Sequence, residues 1–118
     1  MGNRLNALTM NNNFCFFGLL TECGSLFSDH TSAGNSYQYK DIVIKADDGS
    51  SQSLHLRLTG QVAVQLDTYN LQPSTMLCAY FKIYSYINEV DGRRCNAIRC
   101  WKVEVMGNGG EIVGVCRK

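Results

Sequence analysis

The stretch Leu54–Tyr69, LHLRLTGQVAVQLDTY, changes period part-way along. Its first five residues alternate. Leu54, Leu56 and Leu58 share one phase and His55 and Arg57 the other, the pattern of a strand with one face buried. From Gln61 onward the apolar residues Val62, Leu66 and Tyr69 stand at i, i+4 and i+7, which places them on one side of a helix. The β-branched valines count against a helix, and the spacing of the apolar residues counts for it. A strand that runs directly into a short helix, Gln61–Tyr69, is therefore predicted.

On the N-terminal side, Asp47–Ser53 (DDGSSQS) contains an Asp-Gly pair and predicts a hairpin connection. Tyr39–Ala46 (YKDIVIKA) alternates, with Ile42 and Ile44 on one face and Asp41, Val43 and Lys45 on the other. Tyr39 is in phase with Lys45, whereas Lys40 is not. Ser28–Ser36 (SDHTSAGNS) reads as a polar loop, and Phe14–Leu20 as an aromatic and aliphatic strand. On the C-terminal side, Pro73 punctuates the entry to a long strand, Thr75–Ile87. Asn88–Gly92 (NEVDG) turns the chain and Arg93–Val105 returns it; Met106–Gly110 turns it again before a short strand, Glu111–Cys116. The order is strand, long loop, hairpin, helix, hairpin. That order predicts an all-β chain: a five-stranded OB-fold Greek-key barrel with a short helix between strands 3 and 4, plus an extra C-terminal strand. A small sandwich is the alternative arrangement of such strands. One domain over 1–118 is expected, with an N-terminal arm at 1–12 and a C-terminal hairpin extension at 106–118.

A chain of 118 residues, 45% hydrophobic and with one proline, has enough apolar surface for a packed core and is neither disordered nor fibrous. Its 11 Lys+Arg and 10 Asp+Glu nearly cancel. The balance is uneven: residues 1–81 hold four basic and six acidic side chains, and residues 82–118 hold seven and four. This permits an anionic partner without requiring one. Phe14–Leu20 is short for a secretory core and is followed by no small-residue cleavage site. No stretch is long enough to span a membrane. A cytoplasmic location is expected, with the six cysteines reduced.

The segment Gly92-Arg93 followed by Ile98-Arg99-Cys100-Trp101-Lys102-Val103-Glu104 resembles the closing strand of an uncharacterised bacterial family of small OB-fold proteins, itself similar to single-stranded DNA-binding proteins. Asn35–Ile44 (NSYQYKDIVI) resembles the second strand of that family, and Leu58–Tyr69 takes the place of its short helix. The likeness covers about residues 14–105. It implies an OB-fold and binding of single-stranded nucleic acid. Two departures stand out. Arg94-Cys95 replaces an aromatic pair, and the sequence closes on Arg117-Lys118 where single-stranded DNA-binding proteins typically carry an acidic tail.

The long strand supplies the main candidate site. Leu77, Ala79, Phe81, Ile83 and Ile87 share a phase and predict the core face, together with Leu54, Leu56 and Leu58. The opposite phase carries Met76, Cys78, Tyr80, Lys82, Tyr84 and Tyr86. Rings with a cation among them suit stacked bases and their phosphates. Tyr80 and Tyr84, with Lys82 between them, are expected to form the stacking platform, joined by Tyr86. Further candidates are Arg93 and Arg94 at the hairpin tip, Arg99 on the closing strand, His55 and Arg57 on the outer phase of the third strand, and Tyr39 with Lys45 on the second. Trp101 shares its phase with Val103 and Val105 and is expected in the core unless a bulge reverses it.

Catalysis has little support. His30 and His55 belong to no Ser-His-Asp or Cys-His order. Gly107-Asn108-Gly109-Gly110 lacks the Lys-Ser/Thr of a phosphate loop. Cys95 and Cys100 differ in parity, so they point to opposite faces and do not make a zinc site. No catalytic residue, metal or cofactor is predicted. The expected partner is single-stranded nucleic acid, DNA in the first instance, bound with weak sequence preference. The rival is a protein-interaction or structural domain whose tyrosine face joins copies into a homodimer or larger homo-oligomer. A small-ligand or sugar-binding barrel is the third reading.

Overall fold

The computed structural model describes residues 12–118, so the N-terminal arm expected at 1–12 lies, Asn12 apart, outside the described residues. Seven strands and one helix follow. They are β1 (Phe14–Cys23), β2 (Phe27–His30), β3 (Ser36–Ala46), β4 (Ser53–Thr59), α1 (Gly60–Asp67), β5 (Met76–Ile87), β6 (Arg94–Met106) and β7 (Ile112–Arg117). All pairings are antiparallel, in the order β4–β3–β1–β5–β6–β7, with β2 sharing the β1 edge of β3. The sheet curls until β4 lies near β6, but the two do not pair, so it is a half-barrel left open along one seam. With a helix between β4 and β5, this is an OB-like connectivity.

β7 is the extra C-terminal strand expected at Glu111–Cys116, displaced by one residue. The strand beyond expectation is β2, which occupies part of the expected Ser28–Ser36 loop and pairs Ser28 with Gln38 and His30 with Ser36. Every side chain of β2 is exposed, so it has no apolar alternation to read. β1 and β2 together act as one long first strand. A bulge between Leu20 and Glu22 bends it, and it then breaks at Gly24, whose N–H donates to the Asp41 carbonyl at 2.8 Å.

The core gathers on the inner face: Leu20, Ile42, Ile44, Leu56, Leu58, Leu77, Ala79, Phe81, Val103 and Val105, closed at one end by Val62, Ala63 and Leu66 of α1. Leu54 packs at its margin. The helix stops at Asp67, short of the predicted Tyr69. The Thr68 hydroxyl donates to the Gln65 carbonyl at 2.6 Å, and Asn70 turns the chain away with a φ of 49°. Tyr69 instead lays its ring over Gly114 of β7, where a Cβ would come within 2.6 Å of it. The Gln65 amide also reaches β7, accepting from the Arg117 N–H at 2.9 Å and donating to its carbonyl at 3.0 Å. Lys40, inward-facing and buried, donates from Nζ to the Gly24 carbonyl at 2.6 Å and to Asp67 at 3.1 Å, tying the β1–β2 break to α1.

The core stops at Phe81. Ile83 was expected inside but is 37% exposed, and Ile87 is 50% exposed. The pairing explains why. β1 reaches only as far as Phe14 opposite Phe81, so Lys82–Ile87 pair with Arg94–Arg99 alone and leave the body as a two-stranded ribbon. Alternation continues along it, with no layer beneath its inner face among the described residues.

Candidate nucleic-acid interface

The outer face of β3 and β4 carries Tyr37, Tyr39, Asp41 and Lys45 beside His55, Arg57 and Thr59, as strand alternation requires. Three rings cluster at one end. Phe27 lies opposite Tyr39 with centroids 5.7 Å apart, and Tyr37 stands 6.0 Å from Tyr39. The Arg57 guanidinium covers the Tyr39 ring at 4.1 Å and forks onto Asp41 at 2.9 and 3.0 Å. That fork holds the Asp41 carboxyl below the usual carboxylate range. His55 Nε2 lies 3.5 Å from the same carboxylate. Arg57 is thus oriented and partly neutralised. Lys45 sits at the other end of the strand, opposite Ser53, about 20 Å along from Tyr39 at strand rise, and does not join the cluster.

The cluster opens onto the seam between β4 and β6. A groove of about 430 Å³ runs there, with Tyr37, Arg57 and Thr59 on one bank, Ala97–Cys100 on the other, and Thr31 and Lys118 at its margins. Arg57, Arg99 and Lys118 bring three cations to this groove. The Arg99 guanidinium lies 5.4 Å from the Tyr84 ring, so the base of the ribbon adds an aromatic edge.

Along the ribbon, Lys82 faces Arg99, Tyr84 faces Ala97 and Tyr86 faces Cys95 across the two strands. Tyr84 and Tyr86 are about half exposed, at 46% and 48%. Arg94 donates to the Ser85 hydroxyl at 3.1 Å, and Arg93 sits at the turn, its N–H donating to Asp91. Neither of these two arginines lines the groove.

Tyr80 differs from expectation. It is on the outer face but half-buried, and its hydroxyl donates to Glu104 Oε1 at 2.7 Å, which raises its pKa well above the ordinary phenol value. Lys102 stands 4.9 Å over its ring and 3.4 Å from Glu104. Trp101 is also here, 5.9 Å from Tyr80, and not in the core. The cause is a bulge: Tyr80 pairs with Lys102 and Phe81 with Cys100, so Trp101 is the additional residue of β6. Tyr80 and Tyr84 therefore do not form one free platform. Tyr80 belongs to a closed set with Trp101, Lys102 and Glu104.

Of the expected site residues, the fold brings Tyr39, Arg57, Tyr84 and Arg99 to the seam. It leaves Lys45, Tyr80, Arg93 and Arg94 apart from it. Lys82, opposite Arg99, and Tyr86 continue the outer face of the ribbon, and His55 borders Asp41. Sequence reasoning missed Tyr37 and Lys118. The parity that Tyr37 shares with Tyr39 would have found it, had the strand been extended back to Ser36.

No protein-family model and no curated relative matches the chain, so the resemblance to the uncharacterised bacterial family gains no support at that level. Among solved structures it is similar to the small single-stranded DNA-binding protein from Streptomyces coelicolor, at 10% identity and a TM-score of 0.41, over 92% of this chain and 96% of that one. The superposition is loose, and the OB-like connectivity stands on the strand pairing of this chain alone. Among the described residues no helix is long and apolar enough to cross a membrane.

Proposed function

We propose that this chain is a non-enzymatic OB-fold domain over 1–118 that binds single-stranded nucleic acid, DNA in the first instance, in the cytoplasm and with weak sequence preference. The observation that carries the proposal is the seam groove, where Tyr37, Arg57, Arg99 and Lys118 meet beside the rings of Tyr39 and Tyr84. Single strands present flat bases and regularly spaced phosphates, and a groove with rings and cations interleaved meets both. In OB folds the face of the second and third strands, between the first loop and the last hairpin, is where oligonucleotides lie. Here those parts are β3 and β4, the Thr31–Asn35 turn, and the β5–β6 ribbon. The ribbon supplies Lys82, Tyr84 and Tyr86 as a flanking wall.

Titration of a labelled oligo-dT against substituted proteins tests the assignment. Tyr37→Ala should weaken binding by about 1–3 kcal/mol, the worth of one base–aromatic stack. Arg99→Ala should lower the salt slope by about 0.7, one phosphate contact. Tyr80→Ala, away from the groove, should leave affinity unchanged in protein that remains folded. If Tyr80→Ala abolishes binding while Tyr37→Ala and Arg99→Ala do not, the strand lies on the other wall and the groove assignment is wrong.

A second reading has an observation of its own. Ile83, Ile87 and Ile98 are exposed on the inner side of the ribbon, an apolar strip that a second copy of the chain could cover. On that reading Ile83→Asp, Ile98→Asp would turn a dimer into a monomer, as read by sedimentation.

A further inference from the structure

On the wall opposite the seam, β1 and β5 set two thiols against each other. Cys15 pairs across the strands with Tyr80, and Phe17 pairs with Cys78, so Cys15 and Cys78 are diagonal neighbours on the outer face. The right-handed twist of paired strands shortens one diagonal and lengthens the other. Their Sγ atoms are 2.8 Å apart. A disulfide has a bond of about 2.0 Å, so the sulfurs need close by only about 0.8 Å, through side-chain rotation and a small approach of the two strands. Cys15 is exposed and Cys78 is 8% exposed, so an oxidant meets Cys15 first and finds Cys78 already in place behind it.

We propose that Cys15 and Cys78 form an intramolecular, oxidant-dependent staple between β1 and β5, driven by a small-molecule disulfide. Cys15 attacks one sulfur of that disulfide as its thiolate and expels the other half as a thiol, which takes up the proton. A mixed disulfide now sits on Cys15. Cys78 then attacks the Cys15 sulfur and expels the second small thiol, which takes the second proton. Two protein thiols have lost two electrons, one small disulfide has gained them, and two small thiols leave.

The surroundings set the rate. Partial desolvation of the sulfur, together with the neighbouring Cys78 thiol, pushes the Cys15 thiol up to about 12, so little thiolate exists at neutral pH. Exchange depends on the thiolate. The staple therefore closes slowly at pH 7 and faster as the solution is made alkaline. Once closed it joins positions 15 and 78 and constrains the unfolded chain, which stabilises the fold.

The test is incubation of the folded protein with excess oxidised glutathione at mildly alkaline pH, followed by thiol titration, intact mass and non-reducing peptide mapping. All six cysteines are free at the start. The expected result is a monomer lighter by two hydrogens, with Cys15 and Cys78 on one cross-linked peptide, a higher thermal midpoint, and reversal by a dithiol. Cys78→Ser should instead accumulate the glutathione adduct on Cys15. The proposal is overturned if wild-type protein holds the adduct at Cys15 without resolving it. It is equally overturned if the map joins other cysteines, or if the cross-linked form melts no higher than the reduced one.

Discussion

Arg57 acts in two directions. Its guanidinium stacks on Tyr39 and is held by Asp41, so a phosphate entering the groove must compete with a carboxylate already in place. Asp41→Asn should therefore strengthen oligonucleotide binding, as titration at low salt would show. The same pair carries a pH dependence. Asp41 has its pKa lowered chiefly by the hydrogen bonds from Arg57, so the folded state binds the proton less readily than the unfolded one. The stabilisation is present above about pH 4, the unfolded carboxylate value, and is lost as pH falls through the lower folded value. Thermal midpoints measured from pH 6 to pH 2 should show a fall in wild type that is smaller in Asp41→Asn. The pair is solvent-exposed and screened, so the difference is small. Lys40 is the weightier single residue. Lys40→Met removes two bonds from a buried ammonium and should cost about 1.5–3 kcal/mol by urea denaturation. Sequence placed Lys40 out of phase with Tyr39 and Lys45, but alternation does not reveal that an inward lysine finds a carbonyl and a carboxylate.

At the scale of elements, period-2 reading told the sides of β3, β4 and β5 correctly and depths poorly. The inward phase of β5 was legible from Leu77 to Ile87, yet among the described residues only Leu77, Ala79 and Phe81 have a layer packed against them. Phe81→Ala should cost about 3–5 kcal/mol, whereas Ile83→Ala, two residues further on the same face, should cost well under half of that. Equal losses in denaturant unfolding would mean the ribbon is packed in solution. Trp101 was misplaced for a different reason. One inserted residue reverses the parity of everything on one side of it, and no local sequence signal separates Trp101-Lys102 from an uninterrupted strand. Gly18 shows a constraint that alternation also hides: a Cβ there would collide with the Lys45 carbonyl oxygen of β3. Gly18→Ala should destabilise by about 1–3 kcal/mol, the cost of prying two paired strands apart.

Across the whole molecule, the proposed function rests on a place that no strand owns. The element order predicted the OB-like connectivity, because a helix between the third and fourth long strands was readable from one change of period. The site was only partly readable. Tyr39, Arg57, Tyr84 and Arg99 lie far apart in sequence, and they converge because the sheet curls and leaves β4 and β6 unpaired. Curl and closure depend on bulges, and bulges are invisible in alternation. The uneven charge of the two halves is informative at this scale, since the groove takes Arg57 from the acidic half and Arg99 and Lys118 from the basic one. The most direct measurement is the affinity of the wild-type protein for a labelled oligo-dT across a series of salt concentrations, with duplex of equal length as competitor. The expected result is saturable binding at low salt, a log–log salt slope of about −2 from three cations on phosphates, and little competition by duplex. Absence of binding at low salt, or displacement by duplex as effective as by single strands, would contradict it.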